Sequence, residues 1–127
     1  MNNTERILSQ LKLRDRKSSL VGDLSGGLKQ RLAIACAMVH EPEIIFLDEP
    51  TAGVDPVSRK EIWEILKQLS HDGVTLFLTT HYMEEAEKCH TIGFLFNGIL
   101  TAVDTPQHFK NQGRSLEEIY ISFMRNS

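Results

Sequence analysis

The order of apolar and polar positions predicts helices and strands along most of the chain. After Thr4, apolar residues at Ile7, Leu8, Leu11 and Leu13 predict a short amphipathic helix. A second helix is predicted after a loop at Gly26-Gly27, because apolar residues recur every three or four positions and stop before Pro42. These positions are Leu28, Leu32, Ala35, Cys36 and Val39.

The middle of the chain has the pattern of a strand, a helix and a second strand. The unbroken apolar run from Ile44 to Leu47 is typical of a strand buried on both faces of a parallel sheet. Asp55-Pro56 supplies a cap and a first helical residue. The helix stops at Gly73 and leads to the β-rich run from Val74 to Thr80; its predicted buried face is Ile62, Ile65, Leu66 and Leu69. This arrangement predicts parallel strands joined by a right-handed crossover.

The last third of the chain has turn and cap signals. A short helix is predicted from Met83 to Cys89. Asn97-Gly98 between two apolar runs, 92–96 and 99–103, predicts a hairpin at which the sheet turns antiparallel. Thr105-Pro106 opens a short helix, and Ser115 and Glu118 have capping-box spacing at the start of the last one. The chain is therefore predicted to be an α/β protein.

Composition narrows the possible functions of these 127 residues. Hydrophobic residues make up 41% and charged residues 24%, which argues against disorder or a fibrous repeat. The net charge of −3, without a basic run, argues against a nucleic-acid partner. Cys36 and Cys89 have no disulfide or zinc spacing, so both are expected to be reduced core thiols in a cytosolic protein. The apolar runs are too short to cross a bilayer, so any membrane role is expected to go through a partner.

A serine and two glycines precede the second predicted helix. Ser25, Gly26 and Gly27 lead into helical N–H groups that, with the helix dipole, would suit a phosphate. A simple turn and cap would have the same residues, so this loop decides nothing alone.

Polar residues also follow both predicted strands of the middle region. Asp48 could hold Mg²⁺ through its water shell, while Glu49 could orient or deprotonate an attacking water. His81, expected at the same sheet edge, could donate to a terminal phosphate or to that water. Each has a plainer alternative, since acidic residues often begin polar loops and a histidine after a strand is often structural.

Together, in this order, the motifs are much more specific. The runs 24–31, 44–56 and 79–87 resemble the nucleotide-binding subunits of ATP-binding-cassette (ABC) transporters, and the resemblance extends over essentially the whole chain. The Tyr-Met-Glu-Glu-Ala stretch from Tyr82 to Ala86 is most similar to ATPase subunits of multidrug and related exporters. The implied fold is part of a P-loop NTPase, with a parallel sheet, crossover helices, and a C-terminal antiparallel hairpin and helices.

The resemblance also implies roles for individual residues. The run from Leu24 to Leu28 matches the signature loop, whose Ser25, Gly26 and Gly27 would contact the γ-phosphate of ATP held by the opposite subunit of a head-to-tail dimer. The pair Asp48 and Glu49 matches the Walker B strand end, with Asp48 on the Mg²⁺ shell and Glu49 as general base. Asp55 closes the D-loop that starts at Ala52, and His81 matches the switch histidine. Leu28 and Val54 replace the usual Gln and Leu.

One required motif is missing from the sequence. A P-loop needs G-x-x-x-x-G-K-[ST] after a strand, so that backbone amides and a lysine hold the phosphates. Gly22 to Gly27 has the glycine spacing, but Leu28 follows in place of Lys. The expected division is a remnant of the helical subdomain at 1–22 and the C-terminal half of the ATPase domain at 23–127. The isolated chain is expected to be inactive as an ATPase.

Three functions are consistent with this interpretation. The leading one is part of an ATP-hydrolysing subunit that uses ATP and Mg²⁺, pairs with a second ATPase subunit, and powers a transmembrane permease, an exporter, from the inner face of the cell membrane. The alternative is a truncated, non-catalytic interaction or regulatory fragment of a cassette ATPase that cannot bind ATP alone. A third is a cassette ATPase without a permease, acting in translation or DNA repair; the absence of long heptad arms and basic tracts argues against it.

Overall fold

The computed structural model describes Arg6 and residues 26–125. The chain divides into two compact units, Met1–Thr79 and Thr80–Ser127. The predicted first helix, and Leu24 and Ser25 of the signature loop, lie outside the described residues. No helix in the described ranges is long and apolar enough to cross a membrane.

The described part of the first unit contains two helices and a parallel pair of strands. In chain order they are α1 (Gly26–Met38), β1 (Ile44–Asp48), α2 (Pro56–His71) and β2 (Thr75–Thr79). The strands pair in parallel, from Ile44 opposite Thr75 to Asp48 opposite Thr79. The predicted strand, helix and strand are thus confirmed, and their register places Asp48 beside the last residue of β2.

Helix α1 differs from the prediction in its start and in its buried face. Gly26 and Gly27 are already helical, so the loop expected there was wrong. The buried residues of α1 are Gly27, Arg31, Ile34 and Ala35. Cys36 is exposed, contrary to the expected core thiol, and Val39 is exposed too. The physical reason is that α1 approaches α2 at Gly27, where no side chain intervenes, and this turns Cys36 and Val39 outward.

Helix α2 agrees closely with its sequence signals. Asp55 is the N-cap and Pro56 the first helical residue, and Gly73 after the helix has a φ of +99°, which suits glycine. The predicted apolar face is buried, and Trp63 is buried with it; the face consists of Ile62, Ile65, Leu66 and Leu69. Truncating a fully buried leucine such as Leu66 to alanine would cost about 2–5 kcal/mol.

The prediction that the two-strand sheet is buried on both faces was wrong. Ile45 is buried, but the side chains of Ile44, Phe46 and Phe77 are exposed, Phe46 by 74%. Phe46 and Phe77 contact each other across the strands, with ring centroids 5.6 Å apart. The reason is that alternate residues of a strand point to opposite faces, and among the described residues no second layer covers the face that carries these rings.

The second unit is built on an antiparallel hairpin and three short helices. They are α3 (Met83–Ala86), β3 (Ile92–Phe96), β4 (Ile99–Asp104), α4 (Pro106–Lys110) and α5 (Leu116–Arg125). The hairpin is confirmed, with Asn97 and Gly98 both at positive φ. It forms a two-stranded sheet of its own, whereas one continuous sheet was expected. Its core is Ala86, Ile92, Phe94, Phe109, Leu116 and Ile119.

Local hydrogen bonds begin and end the helices of this unit. The hydroxyl of Thr105 accepts from the N–H of His108, and that of Ser115 accepts from the N–H of Glu118, which confirms both caps. Helix α3 ends at Ala86 and not at Cys89, because the N–H groups of Lys88 and Cys89 donate three residues back, as in a tight turn.

Candidate functional site

The carboxyl end of β1 brings Asp48 against Thr79 of the neighbouring strand. The hydroxyl of Thr79 donates to Oδ1 of Asp48 at 2.6 Å, a short bond of the kind made to a charged acceptor. Asp48 itself is exposed. Its carboxylate is therefore oriented by β2 and still accessible to a ligand.

Glu49 continues the chain in an unusual backbone conformation. Its φ is +45°, in the left-handed region that residues other than glycine seldom adopt. Its N–H donates to both the backbone carbonyl and the hydroxyl of Thr79, each at 3.0 Å. The carbonyl of Glu49 accepts from the N–H of Ala52 at 3.1 Å. Glu49 thus leaves the strand in a sharp, hydrogen-bonded turn, with its side chain exposed.

The segment after Glu49 folds into a buried turn and then caps α2. Pro50 and Thr51 are fully buried, and the N–H of Val54 donates to the carbonyl of Thr51 at 3.2 Å. Oδ2 of Asp55 accepts from the N–H of Ser58 at 3.0 Å. The pKa of Asp55 is lowered, chiefly by hydrogen bonds from the backbone and side chain of Ser58. The charged cap holds the turn in place at the helix start.

Gly26 and Gly27, which belong to the predicted signature loop, lie beside that turn. A β-carbon added at Gly27 would lie 2.5 Å from Cβ of Ser58, and one at Gly26 would lie 3.8 Å from the carbonyl oxygen of Gly53. Gly27 is buried, while Gly26 is exposed. The start of α1 therefore packs against the D-loop and the first turn of α2, which ties the two motifs together.

An ion pair, missed by the sequence prediction, joins the same two helices farther along. Nη2 of Arg31 lies 2.9 Å from Oε2 of Glu61, and Arg31 is buried. A buried charge of this kind needs a partner, because desolvation without one is costly. The only sequence signal for this ion pair was a basic residue one turn after two glycines. That signal does not identify Glu61 as the partner.

His81 belongs to the second unit, in a segment fixed by Thr80. The Thr80 hydroxyl donates to Oε1 of Glu85 at 3.1 Å and accepts from the N–H of Tyr82 at 3.0 Å. Glu85 is only 1% exposed, so this anchor is in the protein interior. The imidazole of His81 is exposed and lies against the ring of Tyr82, with centroids 4.5 Å apart.

The first unit thus assembles several candidate residues from separate stretches of sequence. Asp48 and Glu49 meet at Thr79, and the glycines meet the D-loop that ends at Asp55. The oxygen donor of Asp48 fits Mg²⁺, which prefers carboxylate and water oxygens. The described residues contain no cluster of three or more His, Cys, Asp or Glu side chains able to hold a metal unaided.

Comparison with known proteins agrees with these motifs. The family model described as ABC transporter matches residues 1–52. The chain is 44% identical over 113 residues to the probable multidrug ABC transporter ATP-binding protein YbhF of Escherichia coli (strain K12). The chain is homologous to the ATP-binding proteins of ABC transporters. The match covers 89% of this chain but 20% of the relative.

Other ABC relatives show the same partial coverage. The Nod factor export ATP-binding protein I of Burkholderia pseudomallei (strain 1710b) is 44% identical over 102 residues, which are 80% of this chain and 34% of that protein. The ADP conformation of MJ1267, an ATP-binding cassette of an ABC transporter, superposes with a TM-score of 0.80 at 30% identity. That superposition covers 93% of this chain and 48% of the cassette. The chain thus has the fold of one part of an ABC cassette and spans about a third or less of these two curated relatives.

Proposed function

We propose that this chain is the part of an exporter's ATP-hydrolysing subunit that carries its Walker B, signature, D-loop and switch residues. The observation that carries the proposal is the joint placement of Asp48 and Glu49 at Thr79, at the exposed end of a parallel strand pair. This edge of a parallel sheet is where α/β proteins bind their ligands. Relatives named as ATP-binding proteins of a multidrug ABC transporter and of Nod factor export support the transport role.

The proposed chemistry assigns one task to each carboxylate. Asp48 would hold Mg²⁺ through a water ligand, and the metal would supply positive charge that neutralises the phosphates. Glu49 accepts a proton from the water that attacks the γ-phosphate as the bond between that phosphate and ADP breaks, and its backbone turn fixes the position from which it does so. His81 donates a hydrogen bond to the terminal phosphate or to that water.

The remaining residues act between two subunits. Ser25, Gly26 and Gly27 contact the γ-phosphate of ATP held by the opposite subunit of a head-to-tail dimer. The buried contact of Gly27 with Ser58 supports a coupling of that loop to Asp55 of the D-loop. The phosphate-binding loop comes from a segment other than these 127 residues. The subunit works in the cytoplasm, bound to a permease at the inner face of the cell membrane.

The test is Asp48→Asn in a complete cassette domain that carries this chain. We expect ATP hydrolysis to fall by at least about a hundredfold, because the neutral amide loses the charge that holds the Mg²⁺ water. Asp72→Asn, an exposed carboxylate at the far end of α2, is the matched control and should hydrolyse ATP normally. Unchanged hydrolysis and Mg²⁺ dependence in Asp48→Asn would remove the proposal.

A further inference from the structure

We propose that Thr79 is a positioning residue that orients both acidic residues of the site through its single hydroxyl group. The proposal rests on the function proposed for Asp48 and Glu49. Thr79 is the last residue of β2, and its Cα lies directly opposite that of Asp48 in the parallel register. No other described side chain hydrogen-bonds to the carboxylate of Asp48.

The directions of the hydrogen bonds follow from counting protons. A hydroxyl has one proton to donate, and an ionised carboxylate can only accept. The Thr79 hydroxyl therefore gives its proton to Oδ1 of Asp48, at 2.6 Å, and uses a lone pair to accept from the N–H of Glu49, at 3.0 Å. Oδ2 of Asp48 stays available to a water of the metal shell.

The same hydroxyl helps to hold the unusual backbone of Glu49. The backbone of a non-glycine residue keeps a φ of +45° only where contacts with the surrounding structure hold it there. Here the N–H of Glu49 donates to two oxygens of Thr79, its backbone carbonyl and its hydroxyl. Removal of one acceptor loosens the peptide that sets where the Glu49 carboxylate points. Thr79 thus couples the direction of the proposed base to that of the proposed metal ligand.

A purely structural role for Thr79 makes a different prediction. Threonine also favours strands through its branched β-carbon, and valine keeps that shape while it lacks the hydroxyl. Serine keeps the hydroxyl and loses the methyl group. Thr75 begins the same strand, is also exposed, and offers a matched threonine that lies far from Asp48.

The experiment compares Thr79→Val, Thr79→Ser and Thr75→Val in a complete cassette domain. The readouts are kcat, the KM for ATP, the Mg²⁺ concentration for half-maximal rate, and the thermal unfolding midpoint. We expect Thr79→Val to lower kcat by about tenfold or more and to raise the Mg²⁺ requirement, with little change in KM, because the carboxylates lose their alignment. Thr79→Ser should restore most of kcat, and Thr75→Val should match the wild type in all four readouts.

Several results would overturn the proposal. A Thr79→Val variant with normal kcat and Mg²⁺ requirement would do so. A large loss of kcat in Thr79→Ser would also do so, because serine keeps the hydroxyl group that the proposal makes responsible, and this result stands even if the valine variant unfolds. If Asp48→Asn is inactive while Thr79→Val is normal, only the positioning role fails. If Asp48→Asn retains full activity, the proposed function fails with it.

Discussion

Gly27 lies so close to Ser58 that a β-carbon at position 27 would stand 2.5 Å from Cβ and 2.6 Å from Oγ of Ser58. Real β-carbons do not approach side chains so closely, so α1 and α2 touch here only because residue 27 has none. Gly27 therefore has a packing role within the first unit, independent of any contact with a phosphate.

Gly27→Ala is expected to destabilise the first unit. The added methyl group forces the two helix starts apart, and overpacking of this kind costs about 1–3 kcal/mol. The free energy of unfolding, measured with urea in a complete domain, checks the prediction. Gly26→Ala is the control, because the nearest atom to its β-carbon is 3.8 Å away. The double change Gly27→Ala with Ser58→Gly should recover part of the loss; a single Gly27→Ala domain as stable as the wild type would contradict the packing role.

The N-cap at Asp55 predicts a pH dependence of stability. Hydrogen bonds from Ser58 lower the pKa of Asp55 below 3.8. A carboxyl whose pKa is lower in the folded state contributes stability above its unfolded pKa, and this contribution is lost as the pH falls from that value through the folded one. Asp55→Asn keeps a cap acceptor but does not titrate. The wild type should therefore lose stability relative to Asp55→Asn as the pH falls through this range; a constant difference between the two would count against the charged cap.

The two cysteines should differ in reactivity. Burial, and to a lesser degree the charge of Glu85, raises the pKa of the Cys89 thiol, whereas Cys36 is exposed on α1. Alkylation needs the thiolate and access to it. We expect iodoacetamide to label Cys36 at least about tenfold faster than Cys89 in the folded protein, as mass spectrometry of the peptides would show. Urea should bring the two rates together, and equal rates before urea is added would contradict the partial burial of Cys89.

The predictable part of the fold is the part with local signals. Helix α2 could be predicted from Asp55-Pro56 and from the apolar spacing between Ile62 and Leu69, because a cap and a helical period act within a few residues. Asn97-Gly98 sufficed for the hairpin for the same reason. The buried face of α1 was not predictable, since it depends on Ser58 and Glu61 from a distant stretch of the chain.

The candidate site also has a part that could be predicted from the sequence and a part that could not. Asp48 and Glu49 stand out in the sequence because two acids close an apolar run. Thr79 does not, because a threonine in a strand is ordinary and its partner depends on the register between β1 and β2. The residues of the proposed chemistry are therefore recognisable in the sequence, whereas the residue proposed to align them is not.

Glu49 is the proposed proton acceptor in ATP hydrolysis, and one measurement tests this role most directly. Cleavage of pre-bound ATP in a single turnover isolates the chemical step, and Glu49→Gln removes the base with little change in shape. We predict that a complete domain with Glu49→Gln binds ATP as the wild type does but cleaves it at least about a thousandfold more slowly. Glu43→Gln, an exposed glutamate just before the opposite end of β1, should cleave normally. Cleavage by Glu49→Gln at the wild-type rate would contradict the assignment.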